Sequence, residues 1–305
     1  MGAGVRAAAQ ANWGWPVAAL LLALALTSVA AEARCSLDAG PARAVTHVID
    51  GETVKLDDGS EVRLLGIVSP RPPDSADDTS IWPPSQEAKT ALEALLAGQS
   101  VEVTFAGPRA DRYGRQLAHL FTVRGGKRVW VQGAMLAAGH ARVFAQQSSS
   151  DCLDELMSYE RLGFEARNGL WSNAAYQVRS AADAAVLMRY RHTLQLVEGT
   201  VSEVAEVKGR VFLNFGDDWR TDFTAGIDKG RGSDWPADFK ALKGERVRVR
   251  GFLERRNGPY IELTHPSQLE ILPSQVQAAA MEPERKRRSR RKAGGETAAP
   301  AAPAR

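Results

Sequence analysis

The chain has 305 residues, 44% of them hydrophobic and 25% charged, a composition that supports one or two domains with real cores and excludes a wholly disordered or collagen-like polypeptide. Its formal charge of +3 is unevenly placed: residues 282–305 hold eight Lys or Arg against three Glu, a net of +5, which leaves −2 for everything before them. The folded part is therefore not a general polyanion magnet, and its contacts with nucleic acid must come from local arginines.

The first 33 residues differ from the rest. Arg6 supplies a positive start, residues 16–29 are almost wholly apolar, and Ala31-Glu32-Ala33 fits a small-residue cleavage site. The apolar run falls short of the roughly 20 residues that a membrane-spanning helix needs, so 1–33 reads as a signal peptide. The expected location is periplasmic or secreted, with no membrane span after signal cleavage. In such a compartment the two cysteines, Cys35 and Cys152, are expected to form one disulfide. Arg34 before Cys35 departs from a lipid-attachment motif.

After a short segment at 34–43, residues 44–49, 53–56 and 61–67 read as three strands, with Asp57-Asp58-Gly59 as the turn between the last two. Residues 85–96 place Ala88, Leu92, Leu95 and Leu96 at helical spacing, with Ser85 as N-cap and Gly98 just past the end. Residues 101–105 and 116–123 resume β character. Helices are predicted at 131–138 and 151–167, the second capped by Asp151 and closed by Asn168-Gly169. This order gives a mainly β (α+β) domain over 44–176: a five-stranded OB-fold barrel with helical additions.

Residues 177–192 read as a linker, and 193–273 as a second OB-like β-barrel domain. Val211, Leu213 and Phe215 alternate with other residues, as do Val247 and Val249, and Asn257-Gly258 marks a tight hairpin. One short helix is expected at 235–242. Arg246, Arg248 and Arg250 share one face of a strand, which reads as a solvated basic stripe or a phosphate track, and Trp219 and Tyr260 are candidate stacking platforms. Residues 274–305 are expected to form a disordered basic Ala/Pro-rich tail.

Three segments carry a family resemblance: Val48-Ile49-Asp50-Gly51-Glu52-Thr53-Val54-Lys55-Leu56, then Arg63-Leu64-Leu65-Gly66-Ile67-Val68-Ser69-Pro70, then Asp111-Arg112-Tyr113-Gly114-Arg115. In order and spacing they resemble the thermonuclease, or staphylococcal-nuclease-like, family, and Asn168-Gly169-Leu170-Trp171 resembles the end of its terminal helix. The resemblance implies metal-assisted phosphodiester hydrolysis with single-stranded DNA or RNA as partner. Carboxylates hold Ca²⁺, two arginines grip phosphate, and a glutamate activates water. Carried over, it assigns Arg63 and Arg115 as the catalytic arginines and Asp50 and Glu52 as metal ligands. Two positions depart from the pattern: Val68 stands where a second metal aspartate belongs, and Arg71 where the general base belongs.

An isopropyl group removes a ligand and a charge together, so Ca²⁺ affinity should fall, and a guanidinium cannot accept a proton from water. Arg71 is instead a candidate phosphate binder, with Tyr113 and Phe144 as candidate stacking residues. Asp74, Asp77, Asp78 and Glu87 are alternative sources of a base or plain solvated charges. Three functions stay open: a nuclease of weak or altered activity, a nucleic-acid or polyanion binder without hydrolysis, and an envelope scaffold for a protein partner.

Overall fold

Alternating side chains build the first barrel. In the computed structural model, which describes residues 35–71, 82–96, 98–145, 152–229, 235 and 238–273, strand β1 (Asp38–Asp50) leads into β2 (Thr53–Leu56) and β3 (Glu61–Leu64) as an antiparallel meander. The expected leader, the Asp151 cap, the tail from residue 274 and the loop carrying Asp74, Asp77 and Asp78 lie outside the described residues. Val48, Val54, Leu56, Val62 and Leu64 enter one core. The strand expected at 61–67 breaks after Leu64, where Gly66 takes a left-handed φ of +82°, and β4 (Ile67–Val68) leaves the barrel.

Helix α1 (Pro83–Leu96) begins ahead of Ser85, so the predicted cap falls inside the first turn. Its first bonds run from the Ser85 and Gln86 N–H groups to the Trp82 carbonyl, and the prolines occupy positions whose N–H groups have no intrahelical partner anyway. Then follow β5 (Ser100–Phe105), β6 (Gln116–Arg124), β7 (Lys127–Trp130), α2 (Val131–Ala137), β8 (Arg142–Val143) and α3 (Leu153–Ala166). β1 starts earlier than expected, at Asp38, because its first half pairs with β5 while its second half pairs with β2. The parallel pairing of β3 with β6 and the antiparallel pairing of β5 with β6 close a five-stranded ring. Outside the ring, β4 pairs with β8.

The stretch expected as a linker holds β9 (Arg179–Ser180) and the short helix α4 (Ala184–Leu187). Beyond it come β10 (Leu194–Thr200), β11 (Glu203–Val207), β12 (Arg210–Asn214), β13 (Thr224–Asp228), β14 (Arg246–Arg256), β15 (Gly258–Leu263) and β16 (Leu269–Ile271). The helix expected at 235–242 is reduced, among the described residues, to a single 3₁₀ turn at Lys240–Leu242. Pairing runs β11-β12-β13-β15-β14-β10, with β13 and β15 parallel. Since β10 and β11 are consecutive halves of one run broken at Val201 and Ser202, the pairings follow the cyclic order of the first barrel around a second core.

Buried charges tie the two barrels together. Glu160 on α3 accepts the Val143 N–H at 2.7 Å and pairs with Arg250 of β14 at 2.8 Å, each side chain only 5% exposed. The expected basic stripe is thereby corrected: Arg250 is buried between barrels, and Arg246 and Arg248 both clamp Glu198. Tyr260 is no open platform either, since it is buried and its hydroxyl donates to Glu262 at 2.7 Å. Burial, reinforced by Glu262, pushes its pKa up to about 12.

Removing one partner of a buried pair strands the other. Arg250→Met should therefore lower unfolding free energy by about 3–5 kcal/mol in a denaturant titration. Adding Glu160→Gln, which removes the stranded charge and keeps an acceptor for Val143, should recover part of that loss.

Cys35, just ahead of β1, and Cys152, just ahead of α3, form a disulfide with Cα atoms 4.9 Å apart and a sequence separation of 117. Chain-entropy reasoning assigns a cross-link of this span roughly 4–5 kcal/mol. Reduction with dithiothreitol should lower unfolding free energy by that order, and an unchanged denaturation midpoint would contradict the assignment.

Candidate functional site

The site grows from the sharp connection between β1 and β2. Asp50 Oδ1 accepts the Glu52 N–H at 2.8 Å, a local turn that leaves Asp50 partly exposed and sends the Glu52 side chain inward. Gly51 is needed for closeness: a Cβ there would stand 2.7 Å from the Ala88 Cβ on α1 and 2.8 Å from the Ser69 Cβ. Only a bare backbone lets this turn press against α1 and the segment after β4.

Glu52 has no exposure to solvent. Its Oε2 accepts the Ser69 N–H at 2.7 Å, and its Oε1 faces the Arg63 Nη2 at 3.1 Å and, closer still, the Arg71 Nη2. The β2–β3 register supplies Arg63 by pairing it with Thr53, the neighbour of Glu52. The 16% exposed Arg63 side chain belongs to the interior of the site, and the 55% exposed Arg71 to its rim. A buried carboxylate is tolerable only when matched in this way, by opposite charge and donors together.

Arg115 has a separate anchor. The loop 111–115 turns tightly, with Gly114 at a φ of +81° and its N–H donating to the Asp111 carbonyl. Asp111 then grips Arg115 through two side-chain contacts, Nε at 2.8 Å and Nη2 at 2.7 Å. Burial pushes the Asp111 carboxyl up, but the Arg115 side chain and the Tyr113 and Arg115 N–H groups outweigh it and hold it below the usual carboxylate range. Tyr113, 68% exposed, lies against the Arg112 and Arg115 guanidiniums. The β3–β6 register pairs Arg63 with Leu117, so Arg115 stands two residues ahead of Arg63's partner.

The expected roles fare unequally. Glu52, Arg63 and Arg71 converge directly, while Asp50 joins them only through the backbone and Arg115 keeps its own carboxylate. Phe144, expected to stack a base, packs edge-to-face on Phe252 of the second barrel with centroids 5.1 Å apart. Glu87 is exposed on α1. Sequence reasoning passed over Asp111, which the Asp-x-x-Gly turn pattern could have revealed. It also passed over Ser69, Arg142 and Tyr176, which have no local signature.

Asp50 and Glu52 do not fit a Ca²⁺ ion as they stand. Calcium seeks six to eight oxygens, but one Asp50 oxygen is held by the Glu52 N–H, Val68 offers an isopropyl group, and a cation reaching Glu52 would meet two guanidiniums. Among the described residues no group of three or more His, Cys, Asp or Glu is arranged to hold a metal. What the arrangement offers chemically is cation donors at a rim, which suits phosphate oxygens.

Comparison with known proteins adds to this geometry. Residues 61–173 match the family described as staphylococcal nuclease homologue, a span that takes in Arg63, Arg71 and Arg115. An uncharacterized endonuclease of Escherichia coli O157:H7 is 29% identical over 130 residues, covering 43% of this chain and 76% of that protein. The thermonuclease of Staphylococcus hyicus is 26% identical over 132 residues, covering 42% of this chain and 75% of its own.

Proposed function

Because residues 61–173 form a domain of the staphylococcal nuclease homologue family, we propose that the chain engages the phosphodiester backbone of single-stranded DNA or RNA and hydrolyses it slowly. One observation carries this reading: the buried Glu52 carboxylate is already shared by Arg63, Arg71 and the Ser69 N–H. The family's reaction is in general Ca²⁺-assisted, and the donor set here disfavours that ion. Arg71 cannot act as a base, yet its partly exposed guanidinium and that of Arg115 are suited to phosphate. Binding thus survives where metal-assisted hydrolysis is weakened.

Action outside the cytoplasm belongs to the same proposal. It is supported by the apolar leader with its small-residue cleavage site and by the Cys35–Cys152 bridge, a bond that persists in oxidising compartments. Among the described residues no helix is long and apolar enough to cross a membrane.

The test sets cleavage beside binding on labelled single-stranded DNA and RNA, with Ca²⁺ and with chelator. Cleavage should be far slower than that of a complete thermonuclease, while binding persists in chelator. Replacing Arg71 and Arg115 by Gln should weaken binding and flatten the plot of log affinity against log salt by about 0.7 per arginine, the single-strand value for one neutralised phosphate. Val68→Asp with Arg71→Glu should raise Ca²⁺-dependent hydrolysis by restoring acids where the family places them. Fast Ca²⁺-dependent cleavage by the unaltered protein would reject the slow-hydrolysis reading, and no binding at all would reject the whole proposal.

A further inference from the structure

Between the barrels lies an open cavity of about 220 Å³. The first barrel and its extension contribute Ser69, Arg71 and Arg142 to it, and the second contributes Gln195 and Phe252, with Tyr190 from the segment leading into it. Among the described residues, two arginines and a histidine stand on its walls and no Asp or Glu does. A cavity with cations and no acid favours an anionic guest.

The cations are not equivalent. Arg71 is half-exposed at the rim and carries donors beyond the one that meets Glu52. Arg142 is only 2% exposed, and its described hydrogen bonds go to the backbone carbonyls of Tyr176 and Leu194. Its buried Nε has no hydrogen-bond partner among the described residues. The acid that acts on it, Glu160, is itself paired with Arg250 at 2.8 Å. Burial lowers the Arg142 pKa to about 10, so it stays a cation at neutral pH. Arg142 thus brings a desolvated guanidinium to the cavity wall, whose positive charge favours an anion bound beside it.

The remaining walls are aromatic. Trp82 donates from Nε1 to the Tyr176 hydroxyl at 2.8 Å with the two rings tilted, which fixes both side chains. Phe252 is 37% exposed and rests one edge contact on Phe144, leaving ring surface at the cavity. Ring faces beside one buried and one half-exposed cation suit a guest that is flat and aromatic at one end and anionic at the other.

We propose that this cavity is a nucleoside-phosphate site built jointly by both barrels, which receives either a free mononucleotide or the phosphorylated end of a single strand. The choice of guest rests on the nucleic-acid reading above. It gives the second barrel a purpose: that barrel supplies Gln195 and Phe252 to a pocket the nuclease-like domain could not close alone.

The test titrates the disulfide-bonded protein calorimetrically with deoxycytidine 5′-phosphate, deoxycytidine and deoxyribose 5-phosphate. The nucleotide should bind at least about tenfold more tightly than either fragment, and Phe252→Ala should cost about tenfold, the loss of one stacking contact. That variant should stay folded, with its melting temperature lowered only slightly by the lost edge contact with Phe144. A 5′-phosphorylated oligonucleotide that competes with the nucleotide identifies the guest as a strand end, and one that binds without competing identifies a free nucleotide. Equal affinity for deoxyribose 5-phosphate, or indifference to Phe252→Ala, would overturn the inference. If the nucleotide fails to bind while oligonucleotide binding still depends on Arg115, the cavity assignment alone falls; if neither ligand binds, the nucleic-acid reading falls with it.

Discussion

A carboxylate with no contact with water must be matched by its surroundings, and Glu52 is the group around which the first barrel's site is arranged. Its partners are Arg63 from the β2–β3 hairpin, and the Ser69 N–H and Arg71 from the segment after β4. Each holds the turn at Asp50 and Glu52 against α1, where Gly51 makes room. The same three contacts occupy most of the carboxylate's acceptor sites, and two of them bring positive charge that repels a cation. An acid to which the family resemblance gives a metal-binding role is here matched by arginines, and the proposed phosphate binding with slow hydrolysis rests on the arginines at the edge of the site.

Neutralisation by arginine recurs across the molecule. Glu160 with Arg250 joins α3 to β14, Glu198 takes both Arg246 and Arg248, and Asp111 holds Arg115. Three of these arginines lie on β14, so much of that strand's positive charge is matched by nearby carboxylates. Arg142 stands apart because its described hydrogen bonds reach only backbone carbonyls. It sits where the two barrels meet, so the junction combines buried charges with an open cavity.

Much of the fold was legible in the sequence because barrel strands leave a period-two trace. Val54 and Leu56, Val211 and Leu213, and Val247 and Val249 all enter cores as their alternation implies. The hairpin at Asn257 was legible too, since that residue takes the left-handed φ of +66° for which asparagine is suited. Side-chain destinations were less legible. Alternation shows that Arg250 lies on the same face as Arg246 and Arg248, but whether water or another domain covers that face depends on α3, nearly a hundred residues earlier in the chain. Likewise the departures at Val68 and Arg71 are visible in the sequence, yet the capture of Glu52 by Arg71 follows only once the chain has turned at Gly66 and brought the two together.

The most direct measurement of this account is calorimetric titration of the purified protein with Ca²⁺. With Glu52 held by two guanidiniums, no saturable uptake should appear up to about 1 mM, the weak end of protein calcium sites. Saturable binding in that range that is lost in Glu52→Gln would contradict it, because the carboxylate would then be free to serve a metal.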